Sequence, residues 1–308
     1  MRGSRLWARV LFLWRPEASG SRGALVENVK IFGADKRNVS DSIGRESYIL
    51  LITDAEIIKQ EEILPGFHRL TLAAGEVAAK AQPGQFLHVH CAPDRVDPFL
   101  RRPISIHAVD RQRGEVALFY RVVGRGTALL AAKEKGDQLN ILGPLGRGFT
   151  MPLDKGKVAV VAGGMGIAPL YFLLQELAAK KISADVFLGA ATRNQLFFSS
   201  EITRLGHNVL PATDDGTAGY RGNVVSLFAK RPTDFVYGCG PAGMLQSLCR
   251  VIEKHKIRGE ISLEERMGCG VGACLSCACK TRGREENHRY SRVCVEGPVF
   301  PSGEVVWA

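Results

Sequence analysis

The sequence predicts a β + α/β chain: an antiparallel β-barrel, then a doubly wound parallel sheet, then a small C-terminal unit built around cysteines. Three observations predict it. Residues 52–150 run as short apolar stretches punctuated by Gly and Pro, strand-like and helix-like stretches alternate from Lys157, and beyond Gly259 the helical signal gives way to a loop with four cysteines in eleven residues.

A chain of 308 residues, 45% of them apolar, is long enough for two modest domains and an appendage. Five of its eight cysteines fall in the last forty residues and the others are scattered, which is no disulfide framework. A local thiol cluster points to metal or redox chemistry in a reducing compartment, hence the cytoplasm. Residues 1–50 hold nine Arg/Lys against five Asp/Glu, so about +4 of the formal +10 sits there and +6 is spread over the rest. Without a basic run or interleaved aromatics, that field suits anionic cofactors or an acidic partner and gives no footprint for nucleic acid.

Residues 1–50 begin with "MRGSRLWARVLFLWRP", Arg-rich and poor in acids like a transit peptide, but they read equally as an over-extended start or a tail, and a disordered extension is expected. No stretch reaches the eighteen apolar residues of a membrane span. Residues 51–152 carry strand patterns at "FHRLTLAA", "QFLHVHC", "PISIHAV", "EVALFYRVV" and "QLNILG" with turns at "QPGQ" and "DRQRGE"; five or six strands so spaced predict a small antiparallel barrel. Residues 153–260 alternate "KVAVVAGG", "IAPLYFLLQELAAKK", "ADVFLGAA", "DFVYGCG" and "PAGMLQSLCRVIEKHK", which predicts a parallel sheet with helices on its faces. Residues 261–308 hold the cysteine loop and end in "EGPVFPSGEVVW", a closing strand.

Cys269, Cys274, Cys277 and Cys294 are spaced C-x4-C-x2-C-x16-C, the plant-type spacing of a [2Fe–2S] centre. Each iron takes two thiolates, so the chain must wrap tightly, and Gly268, Gly270 and Gly272 allow the turns and the approach of backbone amides. Zinc competes, with His288 as a possible ligand, but only one C-x2-C knuckle is present. Cys279 could replace Cys277, at the cost of the spacing; otherwise it is a packed or surface thiol.

"VVAGGMGIAPL" runs from a strand through Gly163, Gly164 and Gly166 into a helix, the arrangement that cradles a diphosphate. It is no Walker loop, and alone it could be a mere tight turn. "YGCGPAGM" adds a second strand and turn with Gly238, Gly240 and Pro241, so two turns can face one dinucleotide. Cys239 either lies beside a nicotinamide ring, as a catalytic group, or is a small buried residue.

A nicotinamide gives up two electrons together and a [2Fe–2S] centre accepts one at a time, so a converter is needed, and a flavin is the usual one. "FLRRPISIHAV" offers Arg102 to a cofactor phosphate and Ser105 to a flat ring, although Arg102 in isolation reads as a surface charge; "YRVVGRGTALL" adds Gly124, Gly126 and Thr127. His88 and His90 share a strand face. Lacking a third ligand, they read as exposed or cofactor-edge histidines. Asp214 and Asp215 could form an acid/base pair but read as a loop after a strand.

The succession of Arg-Pro-Ile-Ser, "GPLGRGF", "AGGMGIAPL", "GCGPAGM" and the four-cysteine loop resembles the ferredoxin–NADP reductase superfamily, and within it the electron-transfer subunits of class 1B dihydroorotate dehydrogenase, over residues 52–308. Ile104 stands where the superfamily commonly has Tyr, a departure that matches the dihydroorotate branch. The resemblance implies an FAD subunit that takes hydride from NADH and passes electrons through a [2Fe–2S] cluster to FMN in a separate catalytic subunit, in a heterotetramer serving pyrimidine biosynthesis. Carried over by motif, Arg102, Pro103, Ile104 and Ser105, then Phe119, Tyr120 and Arg121, then Gly126 and Thr127 contact FAD. Gly163, Gly164, Gly166, Gly240 and Pro241 hold NAD, and Cys269, Cys274, Cys277 and Cys294 ligate iron. NAD is favoured over NADP because Arg193 is a lone basic group after the second strand of the sheet. Another acceptor (a hydrogenase, a ferredoxin or an oxygenase), a flavin-free redox sensor and a zinc-stabilised binding module are the alternatives.

Overall fold

In the computed structural model the described residues are 51–92, 96–152, 156–231, 233–283 and 287–307; the expected extension at residues 1–50 lies outside them. Strands β1 (Ile52–Leu64), β2 (Phe67–Ala73), β3 (Phe86–His90), β4 (Arg102–Asp110), β5 (Glu115–Arg121) and β6 (Gln138–Leu145) close a barrel in the order β1-β2-β5-β4-β3-β6, with α1 (Gly75–Lys80) and α2 (Arg125–Ala131) in its connections. Every neighbouring pair is antiparallel. Five of these strands match the expected stretches. The sixth, β1, is masked in the sequence because its open face is charged: only Ala55 and Ile57 are fully buried.

Period-two alternation sorts the barrel's side chains. In β3, Leu87 and Val89 enter the interior with Ile104, Ile106, Leu118 and Leu139, whereas Phe86 joins the core shared with the second lobe. That lobe holds β7 (Val158–Gly163), α3 (Ile167–Ala179), β8 (Ala184–Ala190), α4 (Ser199–Arg204), β9 (Asn208–Thr213), β10 (Tyr220–Arg221), α5 (Val224–Phe228), β11 (Phe235–Cys239), α6 (Ala242–His255) and β12 (Arg258–Ser262). All six residues of β7 are buried, as a central parallel strand covered on both faces requires.

The cysteine segment does not hang from this sheet as a separate bead. After a hairpin of β13 (Ala278–Arg282) and β14 (His288–Arg292), the chain returns as β15 (Val299–Pro301) and pairs antiparallel with β12, giving the sheet order β10-β9-β8-β7-β11-β12-β15. Strand β12 therefore runs across the expected boundary at residue 260.

The two lobes are stitched at Thr150. Its N–H and hydroxyl donate to the buried carboxylate of Glu260, both at 2.8 Å, and its carbonyl accepts from the Tyr237 hydroxyl at 2.6 Å. A second tie is His107 on β4, 1% exposed, which packs against Tyr171 and Phe198 with ring centroids 4.6 and 4.5 Å away. Its Nδ1 lies 3.1 Å from the Ala168 carbonyl at the start of α3, so the neutral ring donates there. Burial pulls its pKa down to about 3 against an unfolded value of 6.5.

Thr150→Val leaves the buried Glu260 carboxylate one donor short and should lower the unfolding free energy by about 1.5–3 kcal/mol in urea; Thr150→Ser should lose far less. For His107 the folded pKa lies below the unfolded one, so its contribution is whole above pH 6.5 and lost as the pH falls towards about 3. His107→Phe should therefore flatten the acid limb by about 1.4 kcal/mol per pH unit, measured as the difference between urea unfolding at pH 7 and at pH 5.

Candidate cofactor seam and cysteine loop

The ladder between β4 and β5 runs from Asp110–Glu115 to Ile106–Leu118 and stops. Beyond it, Arg102–Ser105 pair only with β3 and Phe119–Arg121 only with β2. The two segments form the lips of a seam in the barrel wall. Backbone edges released from a ladder need other partners, and a flat ring with a polar rim can supply them.

Arg102 stands at one end of the seam, its guanidinium so close to Gly126 that a Cβ there would lie 2.7 Å from Nε. Ser105 is half-buried, and Ile104, 8% exposed, belongs to the barrel interior. On the opposite lip two of the three side chains turn away from the seam. The Phe119 side chain is 2% exposed and packs among Phe67, Phe197, Phe198 and His107, while Tyr120 points inward and accepts from Gln60 Nε2 at 2.8 Å. These two rings offer a ligand no face, which leaves their main chain; Arg121 alone on this lip has an exposed side chain. Thr127 is likewise occupied: its hydroxyl accepts from Val123 N–H at 3.0 Å and Gly124 N–H at 3.3 Å and donates to the Gly124 carbonyl at 3.0 Å.

At the carboxyl ends of β7 and β11 the two glycine turns meet each other. A Cβ at Gly166 would collide with the Cys239 carbonyl, one at Gly163 with Met244 Sδ, and one at Gly240 would stand 3.1 Å from Gly163 N. Gly166 is required by backbone contact between the turns, while Gly163 and Gly240 face chiefly the flexible end of Met244. Gly164 is different: φ is +52° and nothing lies within 4 Å of its Cβ position, so its open side faces the place a diphosphate would take, with Pro241 at the head of α6 opposite. Cys239 is 0% exposed, and burial pushes its thiol well above the usual range. It packs in the core of this lobe, which is the second of the two readings the sequence offered for it. Arg193 is also occupied, donating through Nε and a terminal nitrogen to the Thr217 carbonyl at 3.0 and 2.6 Å.

All eight cysteines are free of disulfides. In the loop the N–H groups of Val271, Ala273 and Cys274 point at Cys269 Sγ from 3.4, 3.3 and 3.4 Å, a cage that stabilises a thiolate. It needs left-handed backbone at Gly270 and Gly272, φ +73° and +81°. Cys269 acts on the Cys274 thiol through hydrogen bonding, and Cys277 and Cys269 both act on the Cys294 thiol, so the four sulfurs lie within electrostatic reach of one another. Hydrogen bonding from Ser276, 3.2 Å away, brings the Cys274 thiol down to about 6, and burial pushes Cys294 up to about 12. Ser276 escaped the sequence reading, although it lies inside the C-x2-C knuckle.

Zinc fits poorly. His288 pairs with Arg282 at the far end of the β13–β14 hairpin, about 13 Å along the strand from the cysteines at roughly 3.3 Å per residue. Among the described residues no three His, Cys, Asp or Glu side chains gather closely enough for one ion. Cys279 stands in β13 opposite Ser291, its thiol raised to about 11 by burial.

His88 is neither exposed nor free of the loop. It is 0% exposed and lies against Gly270, and desolvation lowers its pKa to about 4. No signal in the sequence joins these two positions.

Comparison with known proteins agrees with this geometry. Residues 264–306 match the model of the iron-sulfur cluster binding domain of dihydroorotate dehydrogenase B, and residues 160–250 that of the oxidoreductase NAD-binding domain. The chain is 46% identical over 262 residues to the dihydroorotate dehydrogenase B (NAD(+)) electron transfer subunit of Desulforamulus reducens, covering 83% of this chain and 98% of that one. It is 41% identical to the same subunit of Geobacillus thermodenitrificans, covering 81% and 96%. Among solved structures, an NADH-dependent reduced ferredoxin-NADP oxidoreductase superposes with a TM-score of 0.72 at 27% identity over 82% of this chain and 90% of that one. The ferredoxin NADP+ reductase of Neisseria gonorrhoeae, TM-score 0.57 at 17% identity over 66% and 91%, shares the fold. The chain belongs to the family of electron transfer subunits of NAD-dependent dihydroorotate dehydrogenase B.

Proposed function

We propose that the chain holds FAD in the β4–β5 seam, NAD(H) over the Gly164 turn and a [2Fe–2S] cluster on Cys269, Cys274, Cys277 and Cys294. The observation that carries this reading is the loop in which free cysteines accompany a Cys269 sulfur caged by three backbone N–H groups. When bound, the flavin converts a hydride pair into single electrons and the cluster carries them one at a time.

The chain's own residues then have separate tasks. Arg102 supplies a positive charge for a phosphate and Gly126 leaves the room for it. Pro103, Ile104 and Ser105 on one lip, and the main chain of Phe119 and Tyr120 with Arg121 on the other, orient a ring between them. Gly164 lets a diphosphate approach the start of α3, where free N–H groups and the dipole favour an anion. Gly163, Gly166, Gly240 and Pro241 shape that turn from behind. Arg193 is already bonded to the Thr217 carbonyl, in keeping with NAD.

Electrons leave at Cys274, the exposed thiol of the four. Leu275 beside it is 62% exposed and Val295 is 36% exposed; at the other centre Phe99 and Val123 are 78% and 79% exposed, tied across by the Asp97–Arg125 ion pair. Apolar rims of this kind suit a protein partner, here the FMN-containing catalytic subunit, in a cytoplasmic heterotetramer.

The anaerobically purified chain should show flavin absorption together with iron and acid-labile sulfide in equal amounts. It should oxidise NADH with an artificial acceptor and turn over orotate only once the catalytic subunit is added; a colourless chain would sink the reading. Cys269→Ser should lose iron while Cys279→Ser keeps it, by metal analysis. Arg102→Ala should weaken FAD binding by roughly 10- to 100-fold, the loss of one charge-assisted phosphate contact, with iron content unchanged.

A further inference from the structure

His88 belongs to neither the seam nor the cysteine loop, yet it touches both. Its main chain pairs with Pro103 in the β3–β4 ladder, so it stands one strand, about 4.8 Å, behind the lip Arg102–Ser105. Its side chain leaves the barrel on the outward face and lies on Gly270: a Cβ there would stand 2.6 Å from Nδ1, 3.1 Å from Cγ and 3.2 Å from Cε1. Gly270 directly follows Cys269, and the next residue, Val271, supplies one of the N–H groups aimed at the Cys269 sulfur.

The ring is chemically extravagant for a spacer. It is 0% exposed; neither nitrogen is in close hydrogen-bond geometry, and the polar groups within its reach are the main chains of Cys269 and Arg101, which act on the ring as hydrogen-bonding partners. Burying an imidazole's polar atoms is costly, and packing alone would be served by an apolar side chain, as Phe86 serves on the same face. A buried group that keeps a donor within reach of a ligand loop is the arrangement by which outer residues orient ligands and tune a metal centre.

We propose that His88 is a positioning residue for electron transfer between the two centres: it fixes the Gly270 turn, and with it the amide cage of Cys269, against the flavin strand, and its N–H tunes the cluster's reduction potential. The route Pro103, His88, Gly270, Cys269 passes through a ladder pairing, one side chain and a loop. The electron concerned is one of the pair that NADH delivers as hydride, lost by the flavin and gained by the cluster, and His88 itself is neither oxidised nor reduced. The proposal rests on the assignment of FAD to the seam and the cluster to the four cysteines.

The test uses the full, cofactor-loaded chain as wild type, His88→Leu, His88→Gln and Gly270→Ala. Flavin and iron contents are measured first, then the cluster's midpoint potential by EPR-monitored redox titration. Stopped-flow mixing with NADH then gives the rate of cluster reduction divided by that of flavin reduction. His88→Leu, similar in bulk and without a donor, should retain both cofactors, shift the potential and lower the ratio about tenfold or more. His88→Gln, which keeps an N–H, should recover part of both, and Gly270→Ala, which displaces the ring, should move both readouts in the direction His88→Leu does. A loaded His88→Leu with wild-type potential and ratio overturns the proposal; should that variant fail to fold, unchanged values in loaded Gly270→Ala overturn it equally. A wild-type chain lacking flavin or cluster overturns the functional reading instead, and this proposal with it.

Discussion

The cysteine loop must lie flat on the barrel, and the contact that permits this is the bare Cα of Gly270 against the His88 ring. A side chain at 270 would lift the loop from strand β3 and carry Cys269 with it. The neighbouring backbone is built for the same end: left-handed turns at Gly270 and Gly272 aim three N–H groups at one sulfur, and such turns cost little only when the residue has no Cβ. Lobe packing, loop shape and sulfur chemistry are therefore settled at one small contact.

The glycines of the nucleotide lobe divide by what they face. Gly163, Gly166 and Gly240 have Met244 and the Cys239 carbonyl in the space their side chains would fill; Gly164 alone among the four turns an open side outward. The same separation holds in the barrel, where Gly126 leaves room for the Arg102 guanidinium. A glycine-rich motif thus mixes positions that a ligand needs with positions that only the protein needs.

The sequence made the architecture legible because burial sets its periodicity: β7 is apolar throughout, and five barrel strands carry clear alternation. It hid β1, whose outer face is acidic, and β12, a five-residue strand that spends Glu260 on Thr150. The cysteine spacing was readable since a compact centre constrains the local chain. The inward turn of Tyr120 and the aromatic enclosure of Phe119 were not, because each depends on which face of a strand meets the other lobe. The meeting of His88 with Gly270 joins positions far apart in the chain and leaves no local mark at either.

The return of β15 to the edge of β12 has a bearing on how the segment between them is closed. Many small metal-bearing units are unfolded until the ion arrives, because nothing else closes them. Here both ends of the sulfur-bearing segment are anchored by peptide pairing to one sheet, a closure made by main-chain hydrogen bonds that no metal supplies.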